Sequence, residues 1–271
     1  MLAWMWGTPG AIVAALLAIL VSMALVTVKS VDYIHQLTSH SAHGRSEAAK
    51  KEFLLVIAHP DDESMFFLPL LLNLQDKANF HLLCFSTGDF DGLGAVRKQE
   101  LIAVWKYLKM NPFKLTILDD ALFRDGMQAI WKPQDVASVV LQYAEDNVID
   151  TIFTFDDYGI SGHPNHISVH HGVKYALEQA QTKKSLRLLH GYTLDSTPLW
   201  RKYLGLLDIV FISLSNSAVV AIAPWVNYQA MALHHSQFVW FRRLFVIFSR
   251  YTFINTLTRL DVPPPKEKKV Q

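Results

Sequence analysis

The 271-residue chain has a single cysteine, Cys84, so it cannot form an internal disulfide bond. It also contains no Asn-x-Ser/Thr glycosylation acceptor. Both absences fit a domain that faces the cytosol, where disulfides are rare and this modification does not occur. Cys84 lies in an apolar run without a neighbouring base, which indicates a buried core thiol rather than a nucleophile.

The chain also lacks an excess of either charge, because 25 Lys and Arg residues balance 24 Asp and Glu residues. Nucleic-acid-binding domains usually have a strongly basic surface, so this balance argues against a nucleic-acid partner. The length is sufficient for one sizeable α/β domain with additions and short for two full domains. Nothing in the composition fixes the oligomeric state.

No charged side chain occurs in residues 1–28, and residues 11–28 are almost entirely apolar. A helix of about 20 apolar residues crosses the hydrocarbon core of a bilayer, so this segment predicts a transmembrane anchor over residues 1–28. A cleaved signal peptide is the alternative. It is disfavoured because no basic residue precedes the apolar run and because the run is long.

Basic residues follow this anchor rather than precede it. They are Lys29, Arg45, Lys50 and Lys51. The positive-inside rule therefore places the rest of the chain in the cytosol, with Trp4 and Trp6 at the opposite membrane interface. Residues 29–50 are rich in Ser and His and are expected to form a short, mobile linker.

The remaining sequence alternates short apolar runs, which predict buried strands, with segments of helical apolar spacing. Predicted strands are residues 53–58, 80–86, 114–118 and 151–155, with further candidates at 187–193 and 218–223; predicted helices are residues 97–109, 135–146 and 165–180. This pattern predicts an α/β fold, a Rossmann-like, mostly parallel sheet with flanking helices, preceded by one N-terminal transmembrane helix. The catalytic domain is expected over residues 51–236.

Two polar clusters directly follow predicted strands. His59-Pro60-Asp61-Asp62-Glu63 follows the first strand, and Gly162-His163-Pro164-Asn165-His166 follows the fourth. Ligands bind at the carboxyl ends of strands in such sheets, so the two clusters are expected to meet. A catalytic zinc takes three His or carboxylate ligands and leaves a position for water, and one of two adjacent carboxylates can then serve as base.

Each cluster also has a simpler interpretation. Most of the 12 histidines of the chain are not ligands, and Asp61-Asp62 could only cap a helix. The acidic pair is expected to open a helix that runs into residues 65–74, where the helix N-terminus favours ionised carboxylates. Pro69 predicts a kink or an early end of that helix.

The motifs AHPDDE at residues 58–63 and GHPNH at residues 162–166 together resemble the LmbE-like family of metal-dependent de-N-acetylases, which act on N-acetylglucosamine conjugates. The resemblance covers about residues 53–179. With TFD at residues 154–156, it is greatest to the eukaryotic branch that acts on N-acetylglucosaminyl-phosphatidylinositol (GlcNAc-PI) in the second step of GPI-anchor synthesis.

That branch implies zinc-dependent hydrolysis of an acetamide, with release of acetate. It also implies a glycosylated phosphatidylinositol as substrate. Proteins of this branch are single-pass proteins of the endoplasmic reticulum membrane with a cytosolic catalytic domain, in agreement with the anchor and the charge pattern described above.

The resemblance also implies roles for individual residues. It assigns His59, Asp62 and His166 as zinc ligands, Asp61 as general base, and a protonated His163 as the group that faces the oxyanion or protonates the leaving amine. Arg97, which follows a glycine-containing loop after the second strand, is expected to contact substrate, and Asp125 to bind sugar hydroxyls. Many relatives have Asp at the position of Asn165, which is not a ligand position.

Residues 237–271 are expected to form a basic, aromatic, membrane-proximal segment. Within it, residues 238–259 mix aromatic side chains with four arginines, which is typical of an amphipathic stretch in a membrane interface. The alternative is a core helix with snorkelling arginines. His234 and His235 precede this stretch, and their role is left open.

Two other functions remain compatible with the sequence. One is a de-N-acetylase of another, soluble GlcNAc conjugate, and the other is a catalytically inactive membrane adaptor with the same fold. The membrane anchor argues against the first, and the complete His and Asp set argues against the second. The physiological metal is not fixed, since a His and carboxylate site accepts several divalent ions, and the sequence does not reveal the lipid-chain preference.

Overall fold

A computed structural model describes residues 9–39, 49–182 and 189–262. Its strands are β1 (Glu52–Ile57), β2 (Asn79–Cys84), β3 (Leu115–Ile117), β4 (Thr151–Phe155), β5 (His190–Leu194), β6 (Ala218–Val220) and β7 (Ile254–Arg259). They form a seven-stranded sheet in the order β3-β2-β1-β4-β5-β7-β6. The first five strands pair in parallel, and β7 runs antiparallel to both β5 and β6. The predicted mostly parallel sheet is confirmed.

Helices flank this sheet on both faces. They are α1 (Pro9–Ser39), α2 (Asp62–Phe66), α3 (Leu68–Leu74), α4 (Gly94–Tyr107), α5 (Pro133–Asp146), α6 (Gly159–Gly162), α7 (Pro164–Thr182), α8 (Leu199–Lys202), α9 (Pro224–Leu233) and α10 (Trp240–Phe248). Short 3₁₀ helices occur at Asp89–Asp91, Pro112–Lys114, Gly205–Val210 and Arg250–Thr252.

After Glu52, the central strand β1 is apolar because both of its faces are covered. Leu54 and Val56 point into a cluster shared with α5 and α7, whereas Leu55 and Ile57 point into a cluster shared with α3 and α4. Burial on both faces explains why this strand reads as a continuous apolar run instead of an alternating one. The same arrangement leaves the carboxyl ends of β1 and β4 side by side at one edge of the sheet.

The chain breaks between α2 and α3 at the position that the sequence predicts. Phe67 separates the two helices, and Pro69 lies in the first turn of α3, where a missing N–H costs nothing. The next backbone N–H, that of Leu70, is satisfied by the side chain of Asn255 at 3.0 Å. The predicted kink at Pro69 is therefore confirmed.

Helix α1 does not end where the linker was predicted to begin. It continues past Val28 to Ser39, and Tyr33, Ile34 and Leu37 are buried in the same core cluster as β1. Lys51 donates a hydrogen bond from Nζ to the carbonyl oxygen of Leu37 at 2.8 Å. The first part of the predicted mobile linker is thus a docked helix, because its apolar residues keep helical spacing. Residues 40–48, like Trp4 and Trp6, lie outside the described residues.

The C-terminal segment is part of the fold rather than an appendage. After α10 the chain returns as β7, which lies between β5 and β6, with Ile254 and Leu257 buried. Arg250 is fully buried, and its Nε lies 2.7 Å from Oδ2 of Asp208. Residues 238–259 therefore do not form one continuous amphipathic stretch, and only α10 keeps that character. The first four residues of β7 are buried, and its last two, Thr258 and Arg259, are exposed.

By its length and composition, α1 is capable of crossing a membrane. Its N-terminal part exposes apolar side chains such as those of Leu16, Leu17 and Leu20. Its C-terminal part packs into the domain, so a single continuous helix connects the apolar run to the core of the α/β fold.

This continuity predicts that Ile34→Ala destabilises the α/β domain by about 2–5 kcal/mol, because it leaves a cavity in the core. Val31→Ala is the matched control, since Val31 lies one turn away on the same helix with 57% of its side chain exposed. The free energy of unfolding of the full chain in detergent, from denaturant titration, measures both. Equal and small effects would show that α1 is not docked.

Candidate active site

The two polar clusters meet at the carboxyl edge of the sheet, as expected from their positions after β1 and β4. The structure brings His59 against His163 and His166, and Asp62 against His166. Asp61 lies next to Asp62 in the chain. All except His163 are buried.

Asp62 is the group that joins the two clusters. Its Oδ2 accepts the backbone N–H groups of Ala58 and His59 at 3.1 and 2.8 Å, and its Oδ1 lies 3.1 Å from Nε2 of His166. Burial alone would raise the pKa of Asp62, but His166, His59 and these N–H donors outweigh it and lower the pKa well below its ordinary value. Asp62 is therefore a carboxylate at any physiological pH.

His166 is held in one orientation by its surroundings. Its Nδ1 lies 3.0 Å from the carbonyl oxygen of Gly159, and its ring stacks on that of Phe155 at 4.1 Å. Gly159 has φ 63°, and a Cβ there would lie 2.7 Å from that of His166, so only glycine fits. Because a carbonyl only accepts, Nδ1 carries the proton of the neutral ring.

In the neutral form of the His166 ring, the Nε2 lone pair therefore points toward a carboxylate oxygen. This buried nitrogen has no hydrogen-bond partner among the residues that the structure describes. In a tetrahedral zinc site, two ligand atoms lie about 3.3 Å apart, and the distance from Nε2 to Oδ1 of Asp62 is 3.1 Å. Two facing lone pairs at this spacing suit a shared cation, so the donor set fits a metal of the zinc type.

His59 completes this group. Its Nε2 lies 3.0 Å from Oδ1 of Asp125 and 3.0 Å from Oδ1 of Asn165, and its Nδ1 lies on the side of Asp62 at 3.8 Å. Burial opposes its protonation, but Asp125 and the carboxylates of the first cluster outweigh burial and raise the pKa of His59. Carboxylate and amide partners of this kind orient a ligating imidazole.

His163 lies beside both of these rings, and the three histidines place ring nitrogens within 4.8 Å of one another. Burial, followed by the neighbouring His59 and His166, lowers the pKa of His163 to about 4. Its Nδ1 accepts the backbone N–H of Asn165 at 3.2 Å, so the neutral ring carries its proton on Nε2. The site thus favours a neutral His163 near pH 7, whereas the mechanism expected from the sequence has a protonated ring.

Asp61 occupies a strained position at the start of α2. Its φ of 125° is unusual for a residue other than glycine, and its backbone N–H donates to Oε2 of Glu63 at 3.2 Å. Its Oδ2 lies 3.5 Å from Nη2 of Arg97 and 3.3 Å from Nη2 of Arg242. Burial raises the pKa of Asp61 above its ordinary value, although both arginines oppose this shift.

Arg97 turns its guanidinium into the protein. It donates hydrogen bonds to the carbonyl oxygens of Gly88 and Pro60 at 2.8 and 2.9 Å, and its Nη1 lies 3.4 Å from Oδ2 of Asp125. A Cβ at Gly88 would lie 2.4 Å from its Cζ, which explains the glycine in this loop. Arg97 therefore connects Asp61 to Asp125 instead of offering an open fork to a ligand.

A cleft of about 560 Å³ opens beside this network. Its walls come from the loops that follow β2 and β3, including Thr87, Asp89, Asp120 and Arg124, and Asp125 lines it as well. The lining is rich in carboxylates and hydroxyls, which are the groups that bind polyhydroxylated ligands.

Several residues of the site cannot be found from local motifs. Arg242 comes from α10, far along the chain from Asp61. His234 is fully buried, and its Nε2 lies 2.7 Å from Oε1 of Glu63. Glu63, the last residue of AHPDDE, therefore forms a buried pair with His234. In the sequence, Arg242 and His234 were indicated only by the arginines of the basic C-terminal stretch and by the His234-His235 pair. His235 itself is exposed.

Comparison with known proteins agrees with this geometry. Residues 54–177 match the family model described as GlcNAc-PI de-N-acetylase. The chain is 40% identical over 212 residues to the N-acetylglucosaminyl-phosphatidylinositol de-N-acetylase of Bos taurus, covering 76% of this chain and 83% of the relative. It is 36% identical over 233 residues to a probable enzyme of the same name from Schizosaccharomyces pombe, covering 82% and 92%.

The chain belongs to this de-N-acetylase family. It is thus one of a family of enzymes that hydrolyse acetamides, and the family expected from the two motifs is confirmed.

Solved structures share the fold. An N,N'-diacetylchitobiose deacetylase from Pyrococcus horikoshii superposes with a TM-score of 0.54 at 15% identity, over 83% of this chain and 89% of that one. A deacetylase of the teicoplanin biosynthetic pathway gives a TM-score of 0.54 at 16% identity, over 77% and 98%. At such identities the likeness concerns the fold alone.

Proposed function

We propose that this protein hydrolyses the acetamide of GlcNAc-PI in a zinc-dependent reaction that yields glucosaminyl-phosphatidylinositol and acetate, the second step of GPI-anchor biosynthesis. The observation that carries the proposal is the buried Asp62 carboxylate with His59 and His166 around it, in a chain whose curated relatives bear this enzyme name. A glycosylated phosphatidylinositol is the substrate, and the membrane supplies it.

His59, Asp62 and His166 would hold the metal. The unpartnered Nε2 of His166 and the ionised Asp62 support this assignment. When bound, a zinc ion supplies the Lewis acidity that polarises the acetamide carbonyl and acidifies a water molecule at the site. The three-histidine set that includes His163 is the competing assignment.

Asp61 acts as the general base. Its raised pKa makes it a stronger base than an ordinary carboxylate, which suits a group that takes up a proton and returns it. In the reaction, the oxygen of water bonds to the acetyl carbon while Asp61 accepts the proton of water. The bond between the acetyl carbon and nitrogen then breaks, and the amine leaves with a proton.

His163 faces the developing charge as a neutral donor. With Nδ1 occupied by the N–H of Asn165, its Nε2–H is available to the oxyanion of the tetrahedral intermediate. A neutral imidazole has no proton to give up near pH 7, so the leaving amine takes the proton that Asp61 accepted from water.

The cleft beside Asp125 receives the sugar and its inositol phosphate. Asp125 contacts a sugar hydroxyl at the floor of this cleft, as the family resemblance implies. Arg97 serves the substrate by holding Asp61 and Asp125 in place, since its guanidinium is already engaged with them.

The protein is a single-pass protein of the endoplasmic reticulum membrane with its catalytic domain in the cytosol. This proposal is supported by α1 and by the basic residues that follow its apolar part. Protease added to sealed microsomes should digest the catalytic domain. Protection of the domain until detergent is added would show that the catalytic domain faces the lumen.

The proposed substrate and base predict a specific activity pattern. Purified protein with zinc should release acetate from GlcNAc-PI and should lose this activity with a chelator. Asp61→Asn should keep its zinc and lose about 10²–10⁴-fold in turnover, because the base is gone, whereas His59→Ala should lose zinc as well. Asp91→Asn, at an exposed carboxylate, is the control.

Other outcomes of this assay would exclude the proposal. Faster turnover of soluble GlcNAc conjugates than of GlcNAc-PI would show that a soluble conjugate is the preferred substrate. A metal-loaded protein without activity on either would support the inactive adaptor, and near-normal turnover by Asp61→Asn would remove Asp61 from the base role.

Arg242 predicts a shift in the pH profile. Its charge lowers the pKa of Asp61, so Arg242→Ala should raise that pKa further. Because the base works only when ionised, the acid limb of kcat/KM should move to higher pH. Arg243→Ala is the matched control, since Arg243 donates to the carbonyl oxygen of Phe238 and lies over that ring. An equal shift in both variants, or none in Arg242→Ala, would contradict this.

A further inference from the structure

Residues 199–214 form a surface segment whose outward side chains are all apolar or aromatic. The segment comprises α8, the 3₁₀ helix Gly205–Val210 and the turn that follows it. Its exposed side chains are those of Leu199, Trp200, Tyr203, Leu207, Val210, Phe211 and Leu214, with Leu214 exposed to 87%. Water-facing segments rarely lack polar side chains in this way, and such contiguous apolar patches usually mark contact sites.

The charged residues of this segment point toward the protein. Asp208 is fully buried and receives two hydrogen bonds from Arg201, at 2.7 and 2.9 Å, as well as the ion pair with Arg250. Lys202 is buried and donates from Nζ to the carbonyl oxygen of Ile160 at 2.6 Å. A surface with its charged groups hydrogen-bonded inside and only apolar groups outside suits an apolar medium.

The segment packs directly against α1. Ile209 and Ile212 share a buried cluster with Val26, and Met23 packs against the same cluster. Lys29, the first charged residue of the chain, donates from Nζ to the carbonyl oxygen of Ser213 at 3.0 Å. Residues 209–213 therefore lie beside α1 between Met23 and Lys29.

The contact with α1 fixes the depth of residues 199–214 relative to the membrane. Met23 and Val26 belong to the apolar run 11–28, which contains the residues that would cross the hydrocarbon core. Lys29 marks the level at which charge returns, where lysines snorkel to the interface. Because Tyr33, Ile34 and Leu37 dock the far end of α1 in the domain core, the segment cannot swing away from that depth.

A second apolar face continues this surface. The rings of Tyr203 and Phe245 lie 6.2 Å apart, which joins the segment to α10. The outward face of α10 carries Trp240, Phe241, Leu244, Ile247 and Phe248. Arg242 on the same helix reaches Asp61, so the apolar surface adjoins the catalytic cluster.

We propose that residues 199–214 insert into the bilayer beside α1 and, with the outward face of α10, form a second membrane-contacting surface that sets the active site against the lipid headgroups. The proposal rests on the proposed function insofar as α1 spans a membrane. Its occupant is the phospholipid bilayer, because the segment lies against the membrane-crossing part of α1. The active site would then meet a headgroup substrate without extracting the lipid.

Environment-sensitive labels test this insertion in the full chain, reconstituted into phosphatidylcholine vesicles. In a Cys84→Ala background, single cysteines at Leu214→Cys, Phe211→Cys, Leu17→Cys and Phe113→Cys carry a nitrobenzoxadiazole fluorophore. Leu17 lies in the exposed apolar part of α1, and Phe113, 94% exposed near β3, is the aqueous control. Nitroxide-bearing phospholipids report lipid contact, and dithionite reports access from water.

The labels at positions 211 and 214 should be quenched by the lipid nitroxides, as at position 17, and be reduced by dithionite several-fold more slowly than at position 113. Behaviour like that of position 113, with position 17 still protected, would overturn the insertion. Protection from dithionite without lipid quenching would also overturn it, in favour of a protein partner or a second copy.

The same vesicles separate this inference from the proposed function. Acetate release from GlcNAc-PI measures the enzyme independently of the labels. Rapid reduction of the label at position 17 by dithionite would show that α1 does not span the bilayer, and it would refute the insertion as well. Active enzyme with unprotected labels at positions 211 and 214 would refute the insertion alone.

Discussion

The active site depends on the contacts that the two carboxylate oxygens of Asp62 make. One oxygen accepts the N–H groups at the end of β1, and the other faces the ring of His166 from the start of α7. This carboxylate therefore joins the polar segments that follow two adjacent parallel strands. It also supplies the negative charge against which His59 and His166 orient. Loss of this carboxylate would leave buried imidazoles with no common partner.

Adjacent carboxylates have opposite properties because their surroundings differ. Asp62 lies among histidines and N–H donors that lower its pKa, whereas burial raises the pKa of Asp61 despite two nearby arginines. One stays a permanent anion suited to hold a cation, and the other holds a proton more tightly than an ordinary carboxylate. The strained backbone at Asp61 turns the side chains of Asp61 and Asp62 in different directions. Glu63 supports this backbone by accepting the N–H of Asp61, and His234 in turn contacts Glu63.

Much of this arrangement could be predicted from the sequence. The parallel strands follow from their apolar runs, and the meeting of His59 with His166 follows from the rule that places ligands at strand ends. Arg242 and His234 could not be predicted, because no local spacing reveals a contact with α2 made from far along the chain. Strand β7 was missed because its arginine-rich surroundings favoured an amphipathic stretch in a membrane interface. The docked part of α1 was missed because Ser and His obscured the spacing of Tyr33, Ile34 and Leu37.

The central claim is that Asp62, with His59 and His166, holds the metal. Zinc K-edge X-ray absorption on the zinc-loaded full chain tests it most directly, together with the zinc content of Asp62→Asn. The account predicts two imidazole ligands with the remaining ligands oxygen, a spectrum unchanged by His163→Ala, and loss of zinc in Asp62→Asn. Three imidazole ligands in the wild type, or full zinc content and an unchanged spectrum in Asp62→Asn, would contradict it.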